Sequence, residues 1–399
     1  MPMQLTKSPA RKRRSNRVTR QFTAAEFFAG IGLVRVALEK AGWKILFAND
    51  IDEDKAEMYR YNWPDDDHLH VGDIHEIDAE TLPHCDLFTA SFPCNDLSIA
   101  GKWEGLKGKQ SSAFWGFIRI LRDLGDRKPP LVMLENVVGF LQSHGGRDFE
   151  AALLALNELG YVVDAFILNA RHWVPQSRAR LFVIAKAFPD GSGNTFVLEE
   201  TDARPRALMS FINTHQNIKW NIRILPHLPK PTKTLADIVD DLPPDDEHWW
   251  DEKRAAYFMS QLSPKHACDA RLMLANETPA YATAFRRVRN GRSMAELRTD
   301  GIAGCLRTPR GGSGRQILFK ACRGKVQVRL LTARECARLQ GADDYRMKKH
   351  LPLNQALFGF GDAVCVPVVE WIAQHYLNPV ASRLANEMPS LPFGRASAR

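Results

Sequence analysis

The sequence predicts an α/β fold: a doubly wound, mostly parallel sheet carrying a second, smaller and irregular domain. Three observations lead there. Between residues 22 and 188, seven short apolar runs alternate with amphipathic stretches, the rhythm of strands covered by helices on both faces. From 189 to about 328 that rhythm stops, and Pro, Gly and aromatic–charged clusters such as "DDEHWWDEKR" take over. From 329 order returns, in a short capped helix and a final amphipathic one.

The elements follow in sequence. "FTAAEFFAG" reads as a strand, and "GLVRVALEKAG" as a helix closed by Gly42. "KILFANDID" is a second strand, followed by a helix through "DKAEMYRYN". "LHVGDI", "CDLFTASFP", "PPLVMLENV", "YVVDAFILNA" and "RLFVIAKAF" supply five more strands. "SSAFWGFIRILRDL" and "DFEAALLALNELG" are the helices between the later ones. In "RLLTARECARLQG", Thr332 and Glu335 have the spacing of a capping box, and Gly341 ends the helix. "CVPVVEWIAQHYL" is expected to pack back on the first sheet. The division expected is a basic disordered arm over 1–21, a catalytic domain of 22–188 plus 329–378, a middle domain of 189–328, and a tail over 379–399.

Composition narrows the function classes. A net charge of +8 favours a polyanionic partner, and the arm holds seven Lys and Arg without one acid. Seven scattered cysteines, with no C-x-x-C, support neither a disulfide framework nor a zinc ribbon, and no metal site is expected. No apolar run approaches the roughly 18–20 residues of a membrane span. The basic N-terminus lacks the apolar stretch of a secretory signal.

The chemistry-bearing residues sit at strand ends. Gly30 and Gly32 fall at the first strand-to-helix turn, where open α/β sheets bind nucleotides. Arg35 occupies the third glycine position of G-x-G-x-x-G, which disfavours a pyrophosphate and leaves room for a phosphate-free ligand such as S-adenosylmethionine. Asp50, twenty residues after Gly30, is placed for a ribose diol, and Asp73 for an adenine amino group. Pro93 cannot continue a central ladder, so it presents Cys94 at the sheet's carboxyl edge. Glu135 follows four apolar residues, where a carboxylate needs a partner or a task. Gln176, Arg178 and Arg180 alternate along one face of an extended segment. Two neighbouring guanidiniums there repel unless an anion or carbonyl lies between them.

A thiol, a buried acid and a guanidinium pair around one cofactor suit carbon methylation of a pyrimidine. C5 of cytosine is too poor a nucleophile to attack a sulfonium methyl unaided. Thiolate addition at C6 makes it an enamine, while an acid at N3 and N4 takes up the ring's electron density.

The order "FAGIG", "NDID", "GDI", "FPCNDLSIAGK", "ENV", "QSRAR", "RLLTARECARLQG", "GFGDAV" resembles that of the DNA (cytosine-5) methyltransferases of bacterial type. The resemblance implies a Rossmann-like, S-adenosylmethionine-binding catalytic domain and a target-recognition domain over 189–328. It makes Cys94 the nucleophile and Glu135 its acid, with Arg180 on the target base and Arg178 supporting the site. Phe28, Ala29, Gly30, Ile31, Gly32, Asp50, Ile51, Asp73, Ile74, Pro93, Asp362 and Val364 would line the cofactor pocket. Asn95, Ser98, Lys102, Lys107, Gln176, Arg307, Arg310 and Arg315 would meet DNA. Two positions depart from the family: Asn95 stands where Gln is usual, and Asp362 where an Asn would donate a hydrogen bond. Implied as well are a double-stranded DNA partner, a cytoplasmic, nucleoid-associated monomer, and a cognate restriction endonuclease as a candidate companion. An RNA cytosine-5 methyltransferase and a catalytically silent DNA-binding relative are the alternatives. A nicotinamide dehydrogenase is disfavoured by Arg35.

Gly101, Gly105 and Gly108, interleaved with Lys102, Lys107 and Lys109, give the segment after Cys94 the composition of a loop that closes over a flipped base. Protease nicking there is expected to fall when substrate DNA and S-adenosylhomocysteine are added together; unchanged nicking would argue against closure.

Overall fold

The seven apolar runs form the seven strands of one sheet in a computed structural model, which describes residues 20–93, 113–187, 199–289, 291–308 and 314–387. They are β1 (Thr23–Phe27), β2 (Lys44–Asp50), β3 (Leu69–Val71), β4 (Leu87–Ala90), β5 (Leu131–Val137), β6 (Tyr161–Asn169) and β7 (Ala179–Ala187). Helices α1 (Leu33–Lys40), α2 (Glu53–Asn62), α3 (Ala113–Asp123) and α4 (Arg147–Glu158) alternate with them. The strand order is β3-β2-β1-β4-β5-β7-β6. Strands β1 to β5 run parallel, while β7 is antiparallel to both neighbours. The reversal has a simple cause: only nine residues join β6 to β7, fewer than a parallel crossover requires.

The sheet is buried on both faces, which is why its strands read as continuous apolar runs. One face packs Leu38, Trp43, Val369 and Ile372; the other packs Phe27, Phe88, Phe117 and Phe149. The last helices, α9 (Leu353–Asp362), α10 (Val366–Ile372) and α11 (Asn378–Glu387), lie on the first of these faces. Trp43 Nε1 donates to Asn378 Oδ1 at 2.6 Å, and Asn378 Nδ2 to the Ala41 carbonyl at 3.1 Å, pinning the terminal helix to the α1–β2 turn. Two expectations are corrected here. The chain does not become a tail at 379, because Val380, Ala381 and Leu384 continue the buried stripe. A run of membrane-spanning length and apolarity does exist among the described residues, Leu353–Asn386, but most of its apolar stretch is buried inside the protein. Of the arm only Arg20 and Gln21 are described, Arg20 paired with Asp86 at 2.6 Å; residues 1–19 lie outside the described residues.

Residues 199–223 pack on the first sheet, although the βα rhythm has stopped by then. Leu208 and Phe211 of α5 (Arg206–Thr214), with Trp220, join the Phe149 face. Asp164, buried in β6, holds this segment: both its oxygens accept from Arg204 Nη2 (2.9 and 3.1 Å), and Oδ2 accepts from Arg223 N (3.0 Å) and Tyr376 Oη (2.9 Å).

The rest of the middle region has a second apolar centre around Phe258, Ala282, Leu297 and Phe319, while its Leu235, Ile238, Ala303, Leu306 and Leu318 join the core of the first sheet. It contains α6 (Glu252–Ser260), α7 (Pro264–Leu274) and an antiparallel sheet of order β11-β10-β8-β9. Its strands are β8 (Ala280–Arg289), β9 (Arg292–Arg298), β10 (Ile317–Cys322) and β11 (Lys325–Leu330). A buried Arg329–Glu335 ion pair at 2.6 Å ties β11 to α8 (Ala333–Leu339). The Thr332–Glu335 capping box is formed as the spacing predicts.

Glu26 on β1 is 1% exposed, and neither of its carboxylate oxygens has a hydrogen-bond partner. Burial pushes its pKa up to about 8, against the opposing charge of Arg35. A raised carboxyl pKa contributes stability that is present below pH 4.5 and lost as pH rises through 8. Between those limits the stability difference between wild type and Glu26→Gln should shift toward the variant by about 1.4 kcal/mol per pH unit. Urea melts across that range check it; a difference independent of pH would refute it.

Candidate active site

The carboxyl edge of the parallel strands gathers most of the described site residues. At the first turn Phe28, Gly30 and Gly32 all have positive φ (58°, 57° and 81°). Phe28 pays steric strain there that a glycine would not, on the order of 1–3 kcal/mol. Gly32 is obligatory for space as well, since a Cβ would lie 2.6 Å from the Trp63 ring. Around Gly30 the space is open: a Cβ would meet only the Lys55 side chain, at 4.0 Å. Asp50 ends β2 with Oδ2 accepting from Gly30 N (2.7 Å) and Oδ1 from Asp52 N (2.9 Å). Burial raises the Asp50 pKa, moderated by the Asp52 amide and the Lys55 charge. Ile51 beside it is 68% exposed, an apolar platform at the lip. Asp73 caps the next turn, accepting from His75 N at 2.9 Å, a bond that lowers its pKa.

This is a fit for a phosphate-free nucleoside ligand. An open glycine turn, an exposed apolar side chain and a strand-end carboxylate adjoin one another, and Arg35, far from leaving a phosphate-binding gap, is buried. Its guanidinium pairs with Glu39 (2.7 Å) and Asp66 and lies over the Trp63 ring. Four expected pocket residues do not fit as side chains: Ala29, 6% exposed, packs with Ala48 and Tyr59. Ile31 (0% exposed), Ile74 (4%) and Val364 (4%) point into the apolar core, so only their backbones are available.

Asp362 ends α9 and binds Lys55 Nζ at 2.8 Å. Asp362 raises the Lys55 pKa against the opposing effect of burial. Lys55 therefore meets the charge introduced by the Asn-to-Asp departure, and no feature of the sequence pointed to it.

β4 ends at Ala90, and the chain emerges through Phe92 to an exposed Pro93. Asn136 Nδ2 donates to the Phe92 carbonyl at 3.1 Å, fixing that exit against β5. Asn136 belongs to the "ENV" run, yet only its acid drew attention in the sequence. Glu135, 6% exposed, receives Arg180 Nε at 3.0 Å. Cys94, Asn95, Ser98, Lys102, Lys107 and Arg310 lie outside the described residues.

Arg178 and Gln176 behave differently from Arg180. Arg178 is 2% exposed, and its Nη1 donates to the Leu306 carbonyl (2.8 Å) and to Cys305 Sγ (3.3 Å). Its Nη2 donates to the carbonyls of Gly361 (3.0 Å) and Ala363 (2.7 Å). Carbonyls thus screen Arg178 and a carboxylate screens Arg180, as two adjacent guanidiniums require. Burial lowers the Arg178 pKa, and the Arg180 charge adds to that. Gln176 is corrected from a DNA contact to a structural residue. It is fully buried, donating to the Leu339 carbonyl (2.7 Å) and accepting from Leu306 N (2.9 Å), so its amide has nothing left to offer a ligand. Close approach completes the junction: a Cβ on Gly361 would stand 2.8 Å from the backbone of Arg307. Arg307 is exposed, and Arg315 Nη2 donates to Asn354 Oδ1 at 2.8 Å.

Residues 22–378 match the family model described as C-5 cytosine-specific DNA methylase. The chain is 28% identical over 360 residues to the Type II methyltransferase M.HhaI of Haemophilus parahaemolyticus, covering 89% of this chain and 94% of that one. It is 26% identical over 362 residues to M.DsaV of Dactylococcopsis salina, covering 90% and 87%. In fold it is similar to the S. pombe Dnmt2 methyltransferase, with a TM-score of 0.58 at 18% identity over 90% of this chain and 99% of that one.

Replacing Gln176 with Ala should cost about 1–3 kcal/mol of stability, and Arg178→Met about 3 kcal/mol or more, because buried carbonyls lose their donors. Arg307→Gln, at an exposed site, should change it by less than about 0.5 kcal/mol. Chemical denaturation reads all three; equal effects would contradict the assignment of the first two as structural.

Proposed function

The chain belongs to the C-5 cytosine-specific DNA methylases, and from that premise we propose that it transfers a methyl group to C5 of a cytosine flipped out of a specific duplex sequence. The observation that carries the reading is the pairing of a half-buried Arg180 with the buried Glu135, 3.0 Å apart, beside the exit of β4 toward Cys94. Asp50 would hold the ribose of S-adenosylmethionine at the glycine turn, with Ile51 and Asp73 at its adenine, and the cofactor would supply an electrophilic methyl group. Phe28, Ala29, Gly30 and Gly32 shape the backbone of that pocket, Pro93 borders it, and Asp362 closes its far side.

Each protein group has a definable task. Cys94, as thiolate, adds to C6 of the ring, making C5 nucleophilic. Glu135 holds a proton at N3 and accepts from the N4 amino group, which draws off the negative charge that addition pushes into the ring. Arg180 keeps Glu135 oriented and reaches the base carbonyl. Arg178 supports the site from beneath without touching substrate. The segment after Cys94, with Asn95, Ser98, Lys102 and Lys107, closes on the flipped base and its flanking phosphates. A base then removes the C5 proton, and the thiolate leaves.

The unit built on the antiparallel sheet reads the DNA sequence, and Arg307, Arg310 and Arg315 contact phosphates or guanine edges. Asn95 and Asp362 leave the reaction intact, the second because Lys55 supplies its counter-charge. The protein works as a monomer on double-stranded DNA in the cytoplasm, at the nucleoid. A cognate restriction endonuclease would be protected against by the mark it leaves.

Bisulfite sequencing of DNA from a host without its own cytosine methylation gives the target site. A duplex carrying 5-fluorocytosine at that site should then form a denaturation-resistant adduct, because fluorine blocks the proton loss that releases the thiolate. The adduct should require methyl donor and vanish in Cys94→Ser. Glu135→Gln should lower kcat by about 10²- to 10⁴-fold. Label from tritiated S-adenosylmethionine appearing only in RNA, or no trapped adduct with wild type, would overturn the proposal.

A further inference from the structure

Cys305 is a thiol that the methyl-transfer chemistry does not use, and its surroundings are unlike those of the other described cysteines. Its sulfur accepts from Arg178 Nη1 at 3.3 Å and lies 4.0 and 3.9 Å from Arg180 Nη1 and Nη2. It is half-buried and lines a cavity of about 220 Å³ together with Arg286, Arg287 and Arg307. A second, independent feature marks the cavity as a place for a ligand. Gln316, 5% exposed, lines it too, and its Oε1 has no hydrogen-bond partner. A buried amide oxygen left in that state is unfavourable, and a ligand N–H would satisfy it.

We propose that Cys305 is a site of S-thiolation, and that the cavity beside it takes a small, carboxylate-bearing peptide disulfide of the glutathione type. The guanidiniums suit the carboxylates, the Gln316 oxygen suits an amide N–H, and the sulfur stands at the cavity wall. The Cys305 thiolate attacks one sulfur of the disulfide, the original S–S bond breaks, and a mixed disulfide forms. The other half leaves as a thiolate and takes a proton from solvent, so no further oxidant is needed. Burial pushes the Cys305 thiol up, and the charges of Arg178 and Arg180 outweigh it, leaving the thiol below its ordinary value. Cys85 and Cys336 are pushed far up by burial, and Cys365 to about 12, so they stay inert. The consequence follows from position. A group attached about 4 Å from Arg180 occupies the space next to the Arg180–Glu135 pair, so the modified protein no longer admits a base. That consequence rests on the function proposed above; the modification itself does not.

The experiment uses full-length Cys94→Ser protein, so that the proposed nucleophile does not compete. Incubated with oxidised glutathione near neutral pH, it should gain one glutathionyl group, mapped by peptide mass spectrometry to Cys305. The rate should exceed that at Cys268 or Cys322 by roughly tenfold or more. An uncharged reagent, hydroxyethyl disulfide, should react more slowly than oxidised glutathione, and Arg307→Gln should narrow that gap. Binding to duplex DNA containing the target site should fall on thiolation and return with dithiothreitol, whereas Cys94→Ser/Cys305→Ser should not respond. Modification at Cys268 or Cys322 first would overturn the site, and equal rates for the two reagents would overturn the ligand class. Unchanged DNA binding by the thiolated protein would overturn the blockade. The labelling arm involves neither DNA nor methyl donor, so its failure would leave the methyltransferase reading standing, and the reverse holds equally.

Discussion

A single buried guanidinium joins the parts of this protein that must act together. Arg178, immediately before β7, donates to carbonyls from two other stretches of chain, Leu306 in the middle region and Gly361 and Ala363 at the end of α9. The first stretch belongs to the arm of the fold that approaches from the antiparallel sheet, the second to the wall that carries Asp362. Charge-assisted bonds of this kind are short, directional and costly to abandon inside a protein. They hold Arg180, two residues away, opposite Val137 in the β5–β7 ladder, from where its Nε reaches diagonally to the Glu135 carboxylate at 3.0 Å. Gln340 and Gln176 extend the same logic, each spending its amide on backbone groups of the junction. The region is rigid because its polar groups are already committed to one another.

Charge is managed with equal economy at the cofactor side. Asp50, Asp52 and Asp362 would crowd negative charge around the glycine turn, and Lys55 sits among them with its ammonium on Asp362. The Asn-to-Asp departure therefore does not stand alone in the structure. A substitution that looks disabling in one dimension is matched by a residue three hundred positions away in the chain.

Much of this was legible in the sequence, for identifiable reasons. Strands buried on both faces have to be apolar throughout, so all seven announced themselves, and the Thr332–Glu335 spacing marked a helix start that formed as expected. The direction of β7 was not legible from its apolar run, which is the same read either way; the short link before it was the available signal. Alternation placed Gln176, Arg178 and Arg180 on one side but could not tell depth, and depth separates a structural amide from a guanidinium at the site. Ile31, Ile74 and Val364 sit in motifs whose backbones border the pocket while their side chains serve the core. Lys55 and Cys305 were missed because their significance lies in partners remote in sequence. The four-stranded middle sheet escaped notice because its strands carry Arg at many positions, which breaks the apolar alternation that reveals a half-buried strand.

The reversal of β7 also constrains what comes after it. A strand running with its neighbours would have delivered the chain to the edge where the arginines are; this one starts there and ends at the opposite edge, where Ala187 N meets the Pro130 carbonyl. Nine extended residues carry it roughly 30 Å away from the place where Ala303, Cys305 and Leu306 must later arrive. Whatever follows has to make the return journey before it can join the pocket. The detour past β6 is that journey, so shortening the middle of the chain has a floor set by distance.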